Sequence, residues 1–173
     1  MQRDTTCLLL PNPELLPGAL SALAGRNVAV GPVVMRRDAG RSLAWTCRLL
    51  ELTADGSPGV VHVSDNLTEL LIQQDDFLIR AMAARWLRPL AGLSPTQRHW
   101  MANTLLALFG SVNSSAAARS LNIHVQTLHY RKRRIEELFG PVLDKPRARL
   151  EIVLALKGRE LLAQRDHGAD SGL

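Results

Sequence analysis

The residues with most to offer a ligand lie in one stretch, Asn113 to Gly140, NSSAAARSLNIHVQTLHYRKRRIEELFG. Its second half carries the densest positive run of the chain, Arg131-Lys132-Arg133-Arg134. Amides, hydroxyls and guanidinium groups at helical spacing suit the recognition of a polyanion with readable edges, and duplex DNA is the polymer of that description. Metal and covalent chemistry fit less well. His124 and His129 stand five apart, so they do not share a helix face as zinc ligands would. Cys7 and Cys47 are isolated thiols, read as small buried hydrophobes in a reduced setting. No Gly-rich phosphate loop and no nucleophile–base–acid set occurs, so neither an enzyme, a cofactor nor a metal is expected.

Those groups must be positioned by two short helices broken at Asn122. Asn113 or Ser114 caps the first, and Ala116, Ala117 and Ala118 keep its side chains small where two helices approach closely. Leu121, Ile123 and Leu128 supply a common buried seam. Asn122 takes the turn position that needs positive φ, where Asn is the best substitute for Gly. His124 is the expected N-cap of the second helix. This is the helix-turn-helix pattern, whose second helix enters the major groove. On that helix Val125, Gln126, His129 and Arg133 are expected on the face away from the seam as base contacts, Gln126 suiting adenine, Arg133 guanine and Val125 a thymine methyl. Ser114, Ser115, Arg119, Arg131, Lys132 and Arg134 are expected around the rim as phosphate contacts.

The charge distribution agrees. The formal charge is +5, and residues 1–88 hold nine Lys or Arg against nine Asp or Glu, whereas residues 89–173 hold twelve against seven. The excess lies in the half that carries the motif. No run approaches the ~20 apolar residues of a membrane span, and no signal core follows Met1, so a cytoplasmic protein with no membrane partner is expected.

Taken in order, Cys7 to Leu10 reads as a buried strand stopped by Pro11 and Pro13, followed by a helix over Glu14 to Ala24. A strand within Asn27 to Met35, a helix over Gly40 to Ala54, a turn over Asp55 to Gly59 and a strand over Val60 to Val63 come next. Asp65 or Asn66 can cap a helix through Ile72, and Asp75 one through Leu87. Pro89 to Pro95 is the expected boundary, where the charge balance changes. Ser94-Pro95-Thr96-Gln97 is a helix start with N-cap, Pro at the first position and a capping box. Its helix carries Met101, Leu105, Leu108 and Phe109 on one stripe. After Gly140-Pro141, Asp144 is expected to cap a last helix whose Leu150, Val153, Leu154 and Leu161 form an apolar face, for the core in preference to a dimer contact. The fold class is α+β: an α/β unit over residues 1–90, an all-α DNA-binding domain over 91–164, and a disordered tail over 165–173.

The string from Ala118 to Gly140, A-x-x-L-N-I-H-x-x-T-L-x-Y-R-x-R-R-I-E-E-L-F-G, closely resembles the C-terminal domain of the PucR/CdaR family of bacterial transcriptional regulators. The similarity continues through Asp144-Lys145-Pro146 and Arg149-Leu150-Glu151 into Leu154-Ala155-Leu156. Val28 to Val34, Ser42 to Leu52 and Leu87 to Leu90 are similar to the end of the degenerate GGDEF-like domain that precedes it in that family. No acidic cyclase signature is present, so this second likeness implies fold alone. Lys132 stands where the family usually has Leu, placing a charged side chain at an expected seam position. Family members also carry an N-terminal sensory region and further GGDEF-like strands, so the chain is read as a fragment or a naturally short protein. The resemblance implies a sequence-specific DNA-binding regulator acting on double-stranded DNA as a homodimer. The alternative is a shortened interaction protein that forms heterodimers with full-length relatives.

Overall fold

A computed structural model describes residues 5–53 and 58–170, with residues 165–170 described by backbone alone. The chain forms two compact units, Met1–Leu70 and Leu71–Leu173.

In the first unit a short 3-10 turn capped by Asn12 leads into α1 (Leu16–Ala22). Strand β1 (Asn27–Val30), helix α2 (Ala39–Leu52) and strand β2 (Gly59–His62) follow. The strands pair in parallel, with Asn27 opposite Gly59 and Val30 opposite His62. A parallel pair needs a long crossover, and α2 supplies it. Leu49 of α2 packs with Val63 and Leu70 to form a small core, joined by Ala29, Leu52 and Val61. The strand expected over Cys7 to Leu10 does not form: the segment has no regular structure, and Leu8 and Leu9 are exposed. A short apolar run gains nothing from an extended conformation without a partner strand. Cys7 is accordingly exposed and Cys47 half-buried, so neither is the buried hydrophobe expected. Most of the Asp55 to Gly59 turn lies outside the described residues.

Helix α3 (Leu67–Ile72) carries the chain into the second unit, which is all helical: α4 (Asp76–Trp86), α5 (Pro95–Gly110), α6 (Ser114–Ser120), α7 (Val125–Phe139) and α8 (Pro146–Asp170). The Asp75 carboxylate accepts from the Leu78 N–H at 2.9 Å and starts α4. Ser94 and Gln97 form the expected capping box at the head of α5, at 3.3 and 3.1 Å. Leu90, Leu105, Ile135, Ile152 and Ala155 are fully buried at the centre, drawn from four segments of the chain.

The unit begins at Leu71, well before the boundary expected at Pro89 to Pro95. The reason is α4, which packs along α8. Ile79 meets Ile72 and Leu162 in one cluster, and the Trp86 indole N–H donates to Glu151 at 2.7 Å. Proline density marked a local break in the helices without marking an end to the packing. Helix α8 also departs from expectation. Asp144 lies in the 3-10 turn before it, and Pro146 is its first residue. Its buried line is Ala148, Ile152, Ala155, Leu156 and Leu162, while Leu150 is exposed. Residues 152–156 of α8 are an unbroken apolar run that covers every side of the helix, so its periodicity does not choose a face. The helix continues to Asp170, past the expected end at Gln164. No proline interrupts Arg165 to Asp170, and extending an existing helix adds one hydrogen bond per residue without a new nucleus. Residues 171–173 of the expected tail lie outside the described residues.

Candidate nucleic-acid interface

Helices α6 and α7 are joined by four residues, Leu121 to His124. The Asn113 side chain accepts from the Ala116 N–H at 2.9 Å and caps α6. At its other end Asn122 has φ 52°. The Asn122 N–H donates to the Arg119 carbonyl and the Ile123 N–H to the Ala118 carbonyl, both at 3.0 Å. That is the Schellman pattern, which needs a left-handed residue where Asn122 stands. His124 then accepts from the Gln126 N–H through Nδ1 at 3.3 Å and opens α7. Behind the turn Ala117, Ala118 and Leu128 are buried together, with Leu121 and Ile123 against them. The methyl side chains allow α6 to lie close on α7, and the close approach fixes the angle at which α7 is presented.

Leu128, Ile135 and Phe139 are the buried line of α7. With 3.6 residues per turn the opposite line is Gln126, Tyr130, Arg133 and Glu137, and all four are exposed. His129 is exposed beside it. Val125, expected on the outward face, is instead half-buried and packs against the Ala117–Leu128 cluster, because it lies on the α6 side of the helix. Tyr130, 72% exposed, also stands on this line and is not among the expected contacts. Its spacing, four residues after Gln126, was the signal that places it on the outer line.

The basic run divides by direction. Arg133 points outward. Arg131 is half-buried, its guanidinium 5.3 Å from the centroid of the Trp100 ring on α5. Arg134 donates to Glu137 at 2.8 Å. Lys132 is exposed and pairs with Glu136 at 3.7 Å, so it does not enter the buried seam as expected. The i, i+4 partner gives its charge a place in solvent. On α6, Ser115 and Arg119 are exposed and Ser114 is half-buried.

Residues 101–158 match the family model described as the PucR C-terminal helix-turn-helix domain. That stretch of the chain is similar to the PucR-type helix-turn-helix domain. Uncharacterized proteins of Mycobacterium tuberculosis and of Mycobacterium bovis are each 30% identical to it over 142 residues. That match takes in 80% of this chain, so it extends beyond the helix-turn-helix domain into the first unit. The chain spans about a third of the length of these relatives, 34%. Among the described residues no cluster of His, Cys, Asp or Glu could hold a metal ion, and no helix is long and apolar enough to cross a membrane.

Proposed function

We propose that the PucR-type domain makes this chain a sequence-specific DNA-binding transcriptional regulator, with α7 in the major groove. The observation that carries this reading is the outward line of α7. Gln126 and Arg133 stand on it, held opposite a fully buried seam by a turn that fixes the helix angle. Gln126 reads adenine through N6 and N7, Arg133 reads guanine through O6 and N7, and His129 lies beside them. Ser114, Ser115 and Arg119 on α6, with Lys132 and Arg134 on α7, contact phosphates and set the register without reading sequence. Arg131 lies on the flank of α7 that faces α5, over the Trp100 ring.

One module reads few bases. Tight binding therefore calls for two copies on half-sites about one helical turn, ~34 Å, apart. The parallel β1–β2 pair bridged by α2 supports a GGDEF-like origin for the first unit, which we assign a structural role.

The test is selection of bound duplexes from a random pool, followed by titration of the selected sequence at rising salt. The expected outcome is a recurrent half-site of a few base pairs, bound with an affinity that falls steeply with salt. Recovery of random sequence, or a binding constant indifferent to salt, would remove the basis for the assignment.

A further inference from the structure

A recognition helix has two flanks. With side chains an α-helix is ~10–12 Å across, and the major groove is ~12 Å wide, so each flank must face a sugar–phosphate strand. The α6 flank already has Ser115, Arg119 and Lys132. The opposite flank, beside the first turns of α5, is built differently. There α5 and α7 enclose a hollow of about 650 Å³, with Leu93 and Met101 at its apolar base and Trp100, Tyr130, Arg131 and Arg134 around it.

Three features suit that hollow to a backbone strand. Trp100 is 48% exposed, and the Arg131 guanidinium lies over its ring, leaving the rest of the indole open to the hollow. Glu137 also borders the hollow, but its carboxylate is paired with Arg134 at 2.8 Å, so the lining stays net positive. Apolar surface beside guanidinium groups matches the alternation of deoxyribose and phosphate along a strand.

We propose that this hollow seats the sugar–phosphate backbone of the second DNA strand. The exposed part of the Trp100 indole packs on deoxyribose, Arg134 donates to a phosphate, and Arg131 is a positioning residue that acts through Trp100. The inference rests on the DNA-binding reading and adds α5 to the contact surface. It places a grip on each side of α7, which fixes the rotation of the helix in the groove and so the bases that Gln126 and Arg133 meet.

A backbone contact carries no sequence information, so the probe is any mixed-sequence duplex of about 20 base pairs at low salt. Binding is followed by anisotropy of the labelled duplex. Trp100 emission is the difference between the unaltered chain and Trp100→Phe. The expected result is that this difference emission loses intensity as the duplex saturates the protein. Arg131→Leu should weaken binding to selected and scrambled duplexes alike by about tenfold, the effect of losing one good contact, while Arg131→Lys, which keeps a cation over the ring, recovers part of it. Where Trp100→Phe unfolds, iodide quenching in a Trp45→Phe chain gives the same readout, with duplex expected to protect the indole. Duplex binding with Trp100 emission unchanged overturns the proposal and leaves the DNA reading intact. Failure to bind any duplex overturns both. A response to an acidic peptide but not to duplex assigns the hollow to a protein partner and overturns it as well.

Discussion

At the scale of single residues, three side chains make separable claims. Arg133 and Arg134 are neighbours in sequence but differ in surroundings, since Arg133 stands on the outer line and Arg134 is turned toward Glu137. Arg133→Ala is expected to cost ~1–3 kcal/mol on the selected site and to relax preference at one base position, whereas Arg134→Ala weakens all duplexes alike and lowers the salt slope by about one. Equal losses on selected and scrambled DNA for both variants would contradict this division. Asn122 is a conformational residue: at φ 52° a β-branched side chain is strained. Asn122→Val should cost ~1–3 kcal/mol by chemical denaturation, with Asn122→Gly nearly neutral. Glu151 gives a pH dependence. Its carboxylate accepts from Arg147 and from the Trp86 indole, and these bonds hold its pKa below the ordinary value of 4.5. A folded-state pKa below the unfolded one contributes stability that is present above the unfolded value. That stability is lost as pH falls through the folded one. Melting temperatures measured from pH 6 downward should therefore fall more in the unaltered chain than in Glu151→Gln.

At the scale of elements, the part most legible in the sequence was the part built on local hydrogen bonds. The capping box at Ser94, the cap at Asn113, the left-handed turn at Asn122 and the ring cap at His124 all formed where their residue types demanded. Each is satisfied within a few residues of chain, so neighbours in sequence suffice to read it. What was not legible depended on distant partners. Cys7 to Leu10 has strand composition but no strand to pair with. The face α8 buries is chosen by α4 and α5, not by its own periodicity. On α7 the outer line was recoverable from a 3.6-residue period, yet the half-buried Val125 and the stacked Arg131 depended on α6 and α5. The packing of α8 on α4 also turns on Gly158, which no local signal marks. A Cβ added there would overlap the Ile79 side chain and stand 3.2 Å from that of Ile72. Gly158→Ala should therefore destabilise the second unit, by ~1–3 kcal/mol, despite the better helix propensity of Ala. A variant as stable as the unaltered chain would show that the two helices are not in such close contact.

At the scale of the molecule, the division of labour follows the charge. The second unit carries the positive excess, the buried seam and the outward line of α7, whereas the first is a small α/β unit whose core is three buried residues with a few half-buried neighbours. All contacts expected to hold DNA come from α5, α6 and α7. The central claim is that α7 reads sequence, and phosphate contacts alone do not amount to that. The direct measurement is the ratio of dissociation constants for the selected duplex and a scrambled duplex of equal length at one salt concentration, for the unaltered chain and for a Gln126→Ala/Arg133→Ala chain. The account predicts a selected site bound at least about a thousandfold more tightly, with most of that ratio lost in the double variant while scrambled-duplex binding falls far less. A ratio near one in the unaltered chain, or one that survives the loss of both side chains, would contradict it.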